Sequence, residues 1–207
     1  MDTLQEGSKV AIELHQGPDP DAIACGLFMH DYLKAKGHEP TITHSRPISH
    51  PSNVLMVKRL EIPLTCYDNN GIQPDQFDGF VFVDHSGNTS TWYREKKIPD
   101  DKVLAVVDHH DLETELDFAY VDKRQVGSCA AMIAQYLKEG AQKELYKGNG
   151  DLTRISTALL FGIITDTNNL RRNATDLDRE MHGYLLPHTD LDILSSVESP
   201  PWDKVWM

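Results

Sequence analysis

The chain reads as an α/β protein, a mostly parallel sheet with helices on both faces. Two observations predict this. Several short runs are apolar throughout and rich in valine, the pattern of strands buried on both faces rather than on one. These runs alternate with helical patterns, and strand–helix–strand repetition argues for parallel pairing. At 207 residues, with 40% apolar and 25% charged side chains, the chain is large enough to bury one real core.

Taken in order, Val10-Ala11-Ile12-Glu13-Leu14 reads as a buried strand. A helix follows over about 21–36, with Pro20 suited to its first turn and Gly37 to its C-terminal cap. Thr41–Thr43 reads as a short strand, Pro51–Leu60 as a helix and Leu64–Tyr67 as another strand. Phe80–Val83 and Val103–Val107 carry the clearest buried-strand signals. Ser128–Leu137 and Leu152–Ile164 read as helices, the second interrupted near Gly162, and a last helix is expected over Asp176–Leu186 with Thr175 as N-cap. Gly148-Asn149-Gly150 is a turn.

Composition excludes several classes. With 20 Lys+Arg against 32 Asp+Glu, the net charge is −12, which argues against gripping duplex nucleic acid through its phosphates. It leaves room for small nucleotides at a metal centre, since bound cations reverse the local field. Cys25, Cys66 and Cys129 are odd in number and form no C-x-x-C pair, so they are expected to be reduced thiols in a cytoplasmic protein. No basic-then-apolar leader opens the sequence, and the apolar run 158–164 is too short to span a bilayer, so no membrane partner is expected.

Four acidic or histidine clusters fall where strands or helices are expected to end. The first is His15-Gln16-Gly17-Pro18-Asp19-Pro20-Asp21. Asp19 and Asp21 supply two carboxylates, which suit two different ions. Read alone, the same segment is a capping aspartate in a Pro-rich turn. The second is Asp84, followed by His85. The third is Asp108-His109-His110, directly after a valine-rich strand, where adjacent histidines alternate in direction and so divide their work. The fourth is Thr165-Asp166-Thr167-Asn168-Asn169, which closes an apolar helix; an aspartate opposes the dipole there, which hints at a compensating cation.

Together these clusters resemble the DHH phosphoesterase superfamily. The similarity rests on H-x-x-x-D-x-D at His15, Asp19 and Asp21, the strand-end Asp84, D-H-H at 108–110 and G-x-x-T-D-T at 162–167. Segments 46–53, including His50, and 125–128 resemble a nucleotide-hydrolysing branch that includes nano-RNases and pAp phosphatases. The resemblance implies a DHH-type N-terminal domain with two Mn²⁺ ions, Mg²⁺ or Co²⁺ being possible substitutes. One ion would be held by His15, Asp19 and Asp84, the other by Asp21, Asp84, His109 and Asp166, with Asp84 bridging. Asp108 would orient a histidine, His110 would meet the scissile phosphate, and Arg171 or Arg172 would hold a terminal phosphate; His85 and His50 would lie on the substrate side.

The implied function is metal-dependent hydrolysis of phosphoester or phosphodiester bonds in small nucleotides or very short oligonucleotides. A pyrophosphatase-like enzyme and a noncatalytic nucleotide-binding module that retains the metal site are the alternatives. Residues 1–198 are expected to form the phosphoesterase domain, and 199–207, opening on Ser199-Pro200-Pro201, to begin an interdomain linker. The substrate-binding domain usual in the superfamily would then be supplied elsewhere, and a homo-oligomer or a partner subunit could provide the lid.

Overall fold

The computed structural model describes residues 4–110, 117–141, 143, 145 and 151–200. Six strands, β1 (Lys9–Glu13), β2 (Glu39–His44), β3 (Leu64–Cys66), β4 (Gly79–Val83), β5 (Val103–Asp108) and β6 (Val121–Lys123), form one sheet in the order 3-2-1-4-5-6. Every neighbouring pair is parallel. The longer helices are α1 (Pro20–Ala35), α2 (Pro51–Arg59), α3 (Cys129–Tyr136), α4 (Leu152–Asp166), α5 (Asp176–Leu185) and α6 (Leu191–Glu198).

Strand residues divide by the two-residue period. Val10, Ile12, Val81, Val83, Ala105 and Val107 face the larger core, where α1, α3 and α4 pack. Ala11, Phe80, Phe82 and Val106 face a smaller one, closed by the helical turns Tyr67–Asn70 and Thr91–Arg94. There Tyr67 and Trp92 stack with centroids 3.9 Å apart. Both faces of the sheet are therefore covered, unequally.

Strand order reverses between β1 and β4, each of which continues toward the site from its carboxyl end. Such a reversal opens a crevice between loops that diverge to opposite sides, the usual ligand position in open α/β sheets. α1 begins there, with Pro20 in its first turn and Asp19 as N-cap, accepting from the Ala22 N–H at 3.0 Å.

The structure departs from the sequence reading at several elements. The expected strand 64–67 stops at Cys66, and Tyr67 opens a helical turn instead. α4 runs unbroken through Gly162. β6 and α6 were not expected. The proposed turn at 148–150, and the proposed linker beyond Pro200, lie outside the described residues.

Candidate metal centre

The four clusters converge at the crevice. β1 delivers His15 and the cap Asp19; β4 delivers Asp84; β5 delivers Asp108, His109 and His110; the C-terminus of α4 delivers Asp166. Three overlapping groups, His15/Asp19/Asp84, Asp21/His109/Asp166 and Asp84/His109/His110, have ligand atoms within 4.8 Å of one another.

Asp84 joins the groups. Its Oδ2 lies 3.6 Å from His15 Nε2, and its Oδ1 lies 3.3 Å from His109 Nε2. The residue is 2% exposed with a left-handed backbone, φ 60°, while its own N–H donates to Val107 O at 2.8 Å. A non-glycine residue held there is strained, and such strain gathers where a side chain must be aimed. Oδ1 is buried without a hydrogen-bond partner among the described residues. Leaving such an oxygen unsatisfied costs roughly 1–3 kcal/mol, which a cation would offset.

His109 is prepared as a ligand. Its Nδ1–H donates to Val126 O at 3.1 Å, which leaves Nε2 directed at Asp84, Asp166 (3.3 Å) and Asp21 (3.8 Å). His110 is turned differently. Its Nδ1–H donates to Asp108 Oδ1 at 2.8 Å, and the ring is 55% exposed. Asp108 is itself held by Ser86 Oγ, so it orients His110 and leaves that ring's far edge open to solvent.

Asp21 has a second task. Its oxygens accept from the Cys129 and Ala130 N–H groups, both at 2.7 Å, and so satisfy the N-terminus of α3. A metal would take the remaining lone pairs. Gly162 permits the approach: a Cβ there would meet Ala130 Cβ at 3.0 Å and Asp21 Oδ1 at 3.1 Å.

Protons occupy the cluster as cations would. Burial opposes charge on His15, but Asp19 and Asp84 outweigh it and hold the ring up at about 10. Burial likewise opposes charge on His109, and Asp84 with Asp21 raises it to about 10. Burial would push Asp84 up, yet the His109 and His15 rings beside its two oxygens bring it down to about 2. Burial, with Asp19 and Asp84 nearby, drives Asp166 up to about 6. Four carboxylates around two imidazoles fit hard or borderline divalent cations.

The remaining predicted residues are placed as follows. His85 is 2% exposed and spends both ring nitrogens internally, Nε2–H on Glu13 O at 2.8 Å and Nδ1 on the Gly87 N–H at 3.0 Å, so it offers a substrate nothing. Burial lowers its pKa to about 4 and keeps it neutral, a strut between β1 and β4. His50 caps α2 and lines a cleft of about 520 Å³ that starts at Asp19 and has Phe161 and Ile164 among its lining residues. Arg172 donates from Nη2 to Asp166 O at 3.0 Å and lines a second cleft, about 640 Å³, beside His109 and His110. Arg171 lines neither. Sequence reasoning missed Asp178, fully buried, which accepts from Gly127 N, Ser128 Oγ, Thr175 N and Thr175 Oγ1. It fixes the 125–128 loop that carries the Val126 carbonyl; the capping-box spacing Thr175-x-x-Asp178 was its signal.

Comparison with known proteins bears on the fold and the family. An uncharacterized protein of Methanocaldococcus jannaschii is 29% identical over 199 residues, which cover 95% of this chain and 38% of that protein. An exopolyphosphatase-related protein from Bacteroides fragilis superposes with a TM-score of 0.75 at 14% identity, over 95% of this chain and 58% of the other. A candidate family II inorganic pyrophosphatase of Methanococcus jannaschii superposes with a TM-score of 0.63 at 25% identity, over 86% and 55%. The chain thus spans well under two thirds of the length of each of these relatives. The model of the DHH family N-terminal domain matches residues 9–163, a stretch that holds every one of the gathered ligand candidates but Asp166, three residues past its end. With that match over most of its length, this chain belongs to the DHH family.

Proposed function

We propose that the chain is a phosphohydrolase that binds two Mn²⁺ ions and cleaves phosphoester or phosphodiester bonds in small nucleotides or very short oligonucleotides. The observation that carries this reading is Asp84, whose two oxygens face two separate ligand groups while one is buried without a hydrogen bond among the described residues. His15 and Asp19 would complete one ion's shell, and Asp21, His109 and Asp166 the other's. Two such ions supply an activated water and screen charge on the phosphoryl group.

The protein's own residues do the rest. The Val126 carbonyl fixes the His109 tautomer. Asp108 raises the pKa of His110 through their hydrogen bond, which favours a donor ring at the mouth of the site, where it would meet phosphate oxygens. Arg172, braced on the Asp166 carbonyl, is the better placed of the two arginines for a terminal phosphate.

A pyrophosphatase-like reading draws on the 25%-identical neighbour. The cleft beginning at Asp19 favours a substrate with an organic part, because Phe161 and Ile164 add apolar surface to its polar lining that pyrophosphate would leave unused. The test is a substrate panel with Mn²⁺-loaded protein: bis(p-nitrophenyl) phosphate, dinucleotides, bisphosphorylated nucleotide and pyrophosphate. Hydrolysis of the nucleotides, abolished in Asp84→Ala, is expected. Unchanged activity in that variant, or tight nucleotide binding with no turnover on the panel, would overturn the reading.

A further inference from the structure

Beside His15 lies a third cleft, about 440 Å³, lined by Gln16, Ser45, Arg46, Asp68, Thr91, Arg94 and Glu95. It sits at the carboxyl ends of β1, β2 and β3. His15 turns to the metal ligands and Gln16, the next residue, turns the other way and donates from Nε2 to Thr91 Oγ1 at 2.9 Å.

Its walls are pre-set. His44 Nδ1 donates to Arg46 O at 2.7 Å and Cys66 Sγ to Ser45 O at 3.2 Å, which pins the turn after β2. Opposite, Ser90 caps the Thr91–Arg94 turn at the Tyr93 N–H and anchors it by donating to the buried Glu13 Oε1 at 2.6 Å.

Two features are left open among the described residues. Ser45 is 3% exposed, lines the cleft, and its Oγ makes no hydrogen bond of good geometry among the described residues, although the Tyr67 hydroxyl lies near it. The guanidinium groups of Arg46 and Arg94 likewise have no ion-pair or hydrogen-bond partner among the described residues. In a chain of net charge −12, where acidic partners abound, two arginines left open on one cleft point to a ligand that supplies the charge. Two acids also line the cleft: Glu95 is tied to Lys97 Nζ at 2.6 Å, and Asp68 stands exposed.

We infer that this cleft is an oxyanion subsite in which Arg46 and Arg94 grip a phosphate or carboxylate and Ser45 Oγ donates to it from below. The oxyanion is either the far, non-reacting group of the substrate, which rests on the hydrolytic reading above, or a free anion that acts as an effector.

The first arm needs no catalysis. Metal-free protein crystallised with tungstate should show anomalous density between Arg46 and Arg94, and the double variant R46Q/R94Q should lose it while keeping its melting temperature and Mn²⁺ stoichiometry. No density there, or density that survives in the variant, overturns the proposal. The second arm assigns the source with Mn²⁺-loaded protein. If the group belongs to the substrate, KM for a dinucleotide with a terminal phosphate rises by about tenfold or more in the double variant, with kcat and the hydrolysis of bis(p-nitrophenyl) phosphate unchanged. If it is an effector, sulfate alters kcat on bis(p-nitrophenyl) phosphate in the parent and not in the variant. In a chain that does hydrolyse the panel, tungstate density with neither kinetic effect marks an adventitious ion only and also overturns it. A chain that hydrolyses nothing yet loses tungstate and sulfate binding in the variant would refute the hydrolytic reading and leave the anion subsite standing.

Discussion

Asp84, His15 and His109 form a balance of charge that a metal would change. Both histidines are raised from 6.5 to about 10 in the metal-free fold, so at neutral pH each carries a proton that a cation must expel. Mn²⁺ affinity is therefore expected to rise with pH, by up to about tenfold per unit for each ion because each shell holds one of the two histidines, with buffer-dependent heats in calorimetry reporting the proton release. Affinity flat between pH 6.5 and 8.5 would contradict two titrating ligands. The sign for the metal-free fold is the reverse. Because both folded values lie above 6.5, their contribution to stability is complete below that pH and is lost as pH climbs through about 10. Glu13 behaves in the same sense: burial lifts its pKa from 4.5 to about 7, so its contribution is lost as pH rises through that window. Glu13→Gln keeps an acceptor for Ser90 and is expected to be more stable than the parent at pH 8 by about 1 kcal/mol or more in urea unfolding. Most ligand candidates were legible because their residue types are costly to bury at strand ends. His85 shared that signature and proved to be a strut, since sequence cannot show that Glu13 O and the Gly87 N–H lie within reach of its ring.

At the scale of elements, legibility followed burial and length. Strands flanked on both faces, such as β4 and β5, announced themselves by unbroken apolar runs. β6 did not, because its three half-buried residues, Val121-Asp122-Lys123, lie at a sheet edge and carry no periodicity. α6 opens on Leu191, which is 59% exposed, and buries only Leu194 and Val197, too thin a stripe to stand out. Gly162 taught the opposite lesson: a glycine in a helical run suggested a break, whereas it marks where α4 passes close to α1 and α3. Gly162→Ala would push into Ala130 Cβ at 3.0 Å and the Asp21 backbone at 3.2 Å. Because backbone and a packed methyl yield little, the expected cost is about 1–3 kcal/mol in thermal or urea unfolding, with weaker Mn²⁺ binding as Asp21 moves. Unaltered stability and metal affinity would mean the helices separate freely at that point.

For the whole molecule, what the sequence made legible was the order of elements; the reversal between β1 and β4 that gathers four distant clusters is a property of pairing, visible only in the fold. The same gathering concentrates charge. Asp19, Asp21, Asp84 and Asp166 meet at one end of a chain of net charge −12, and only the folded chain brings them together. Cations that bind this arrangement and not the unfolded chain must stabilise it, by about 2.7 kcal/mol per site at a hundred times the dissociation constant. For a domain of this size that is a rise in Tm of roughly 5–10 °C per site. General screening of a −12 molecule predicts something different: any salt at matched ionic strength would raise Tm equally, through a Debye length of about 10 Å at 0.1 M. Melting curves in Mn²⁺, in matched sodium chloride and after chelation separate the two. A rise specific to Mn²⁺, reversed by chelator and lost in Asp84→Asn, is expected, because that substitution removes the charge shared by both ligand groups while keeping the side chain's shape. An equal rise in sodium chloride, or a full Mn²⁺ effect in Asp84→Asn, would assign the stabilisation to diffuse charge and leave the gathered carboxylates without a metal to explain them.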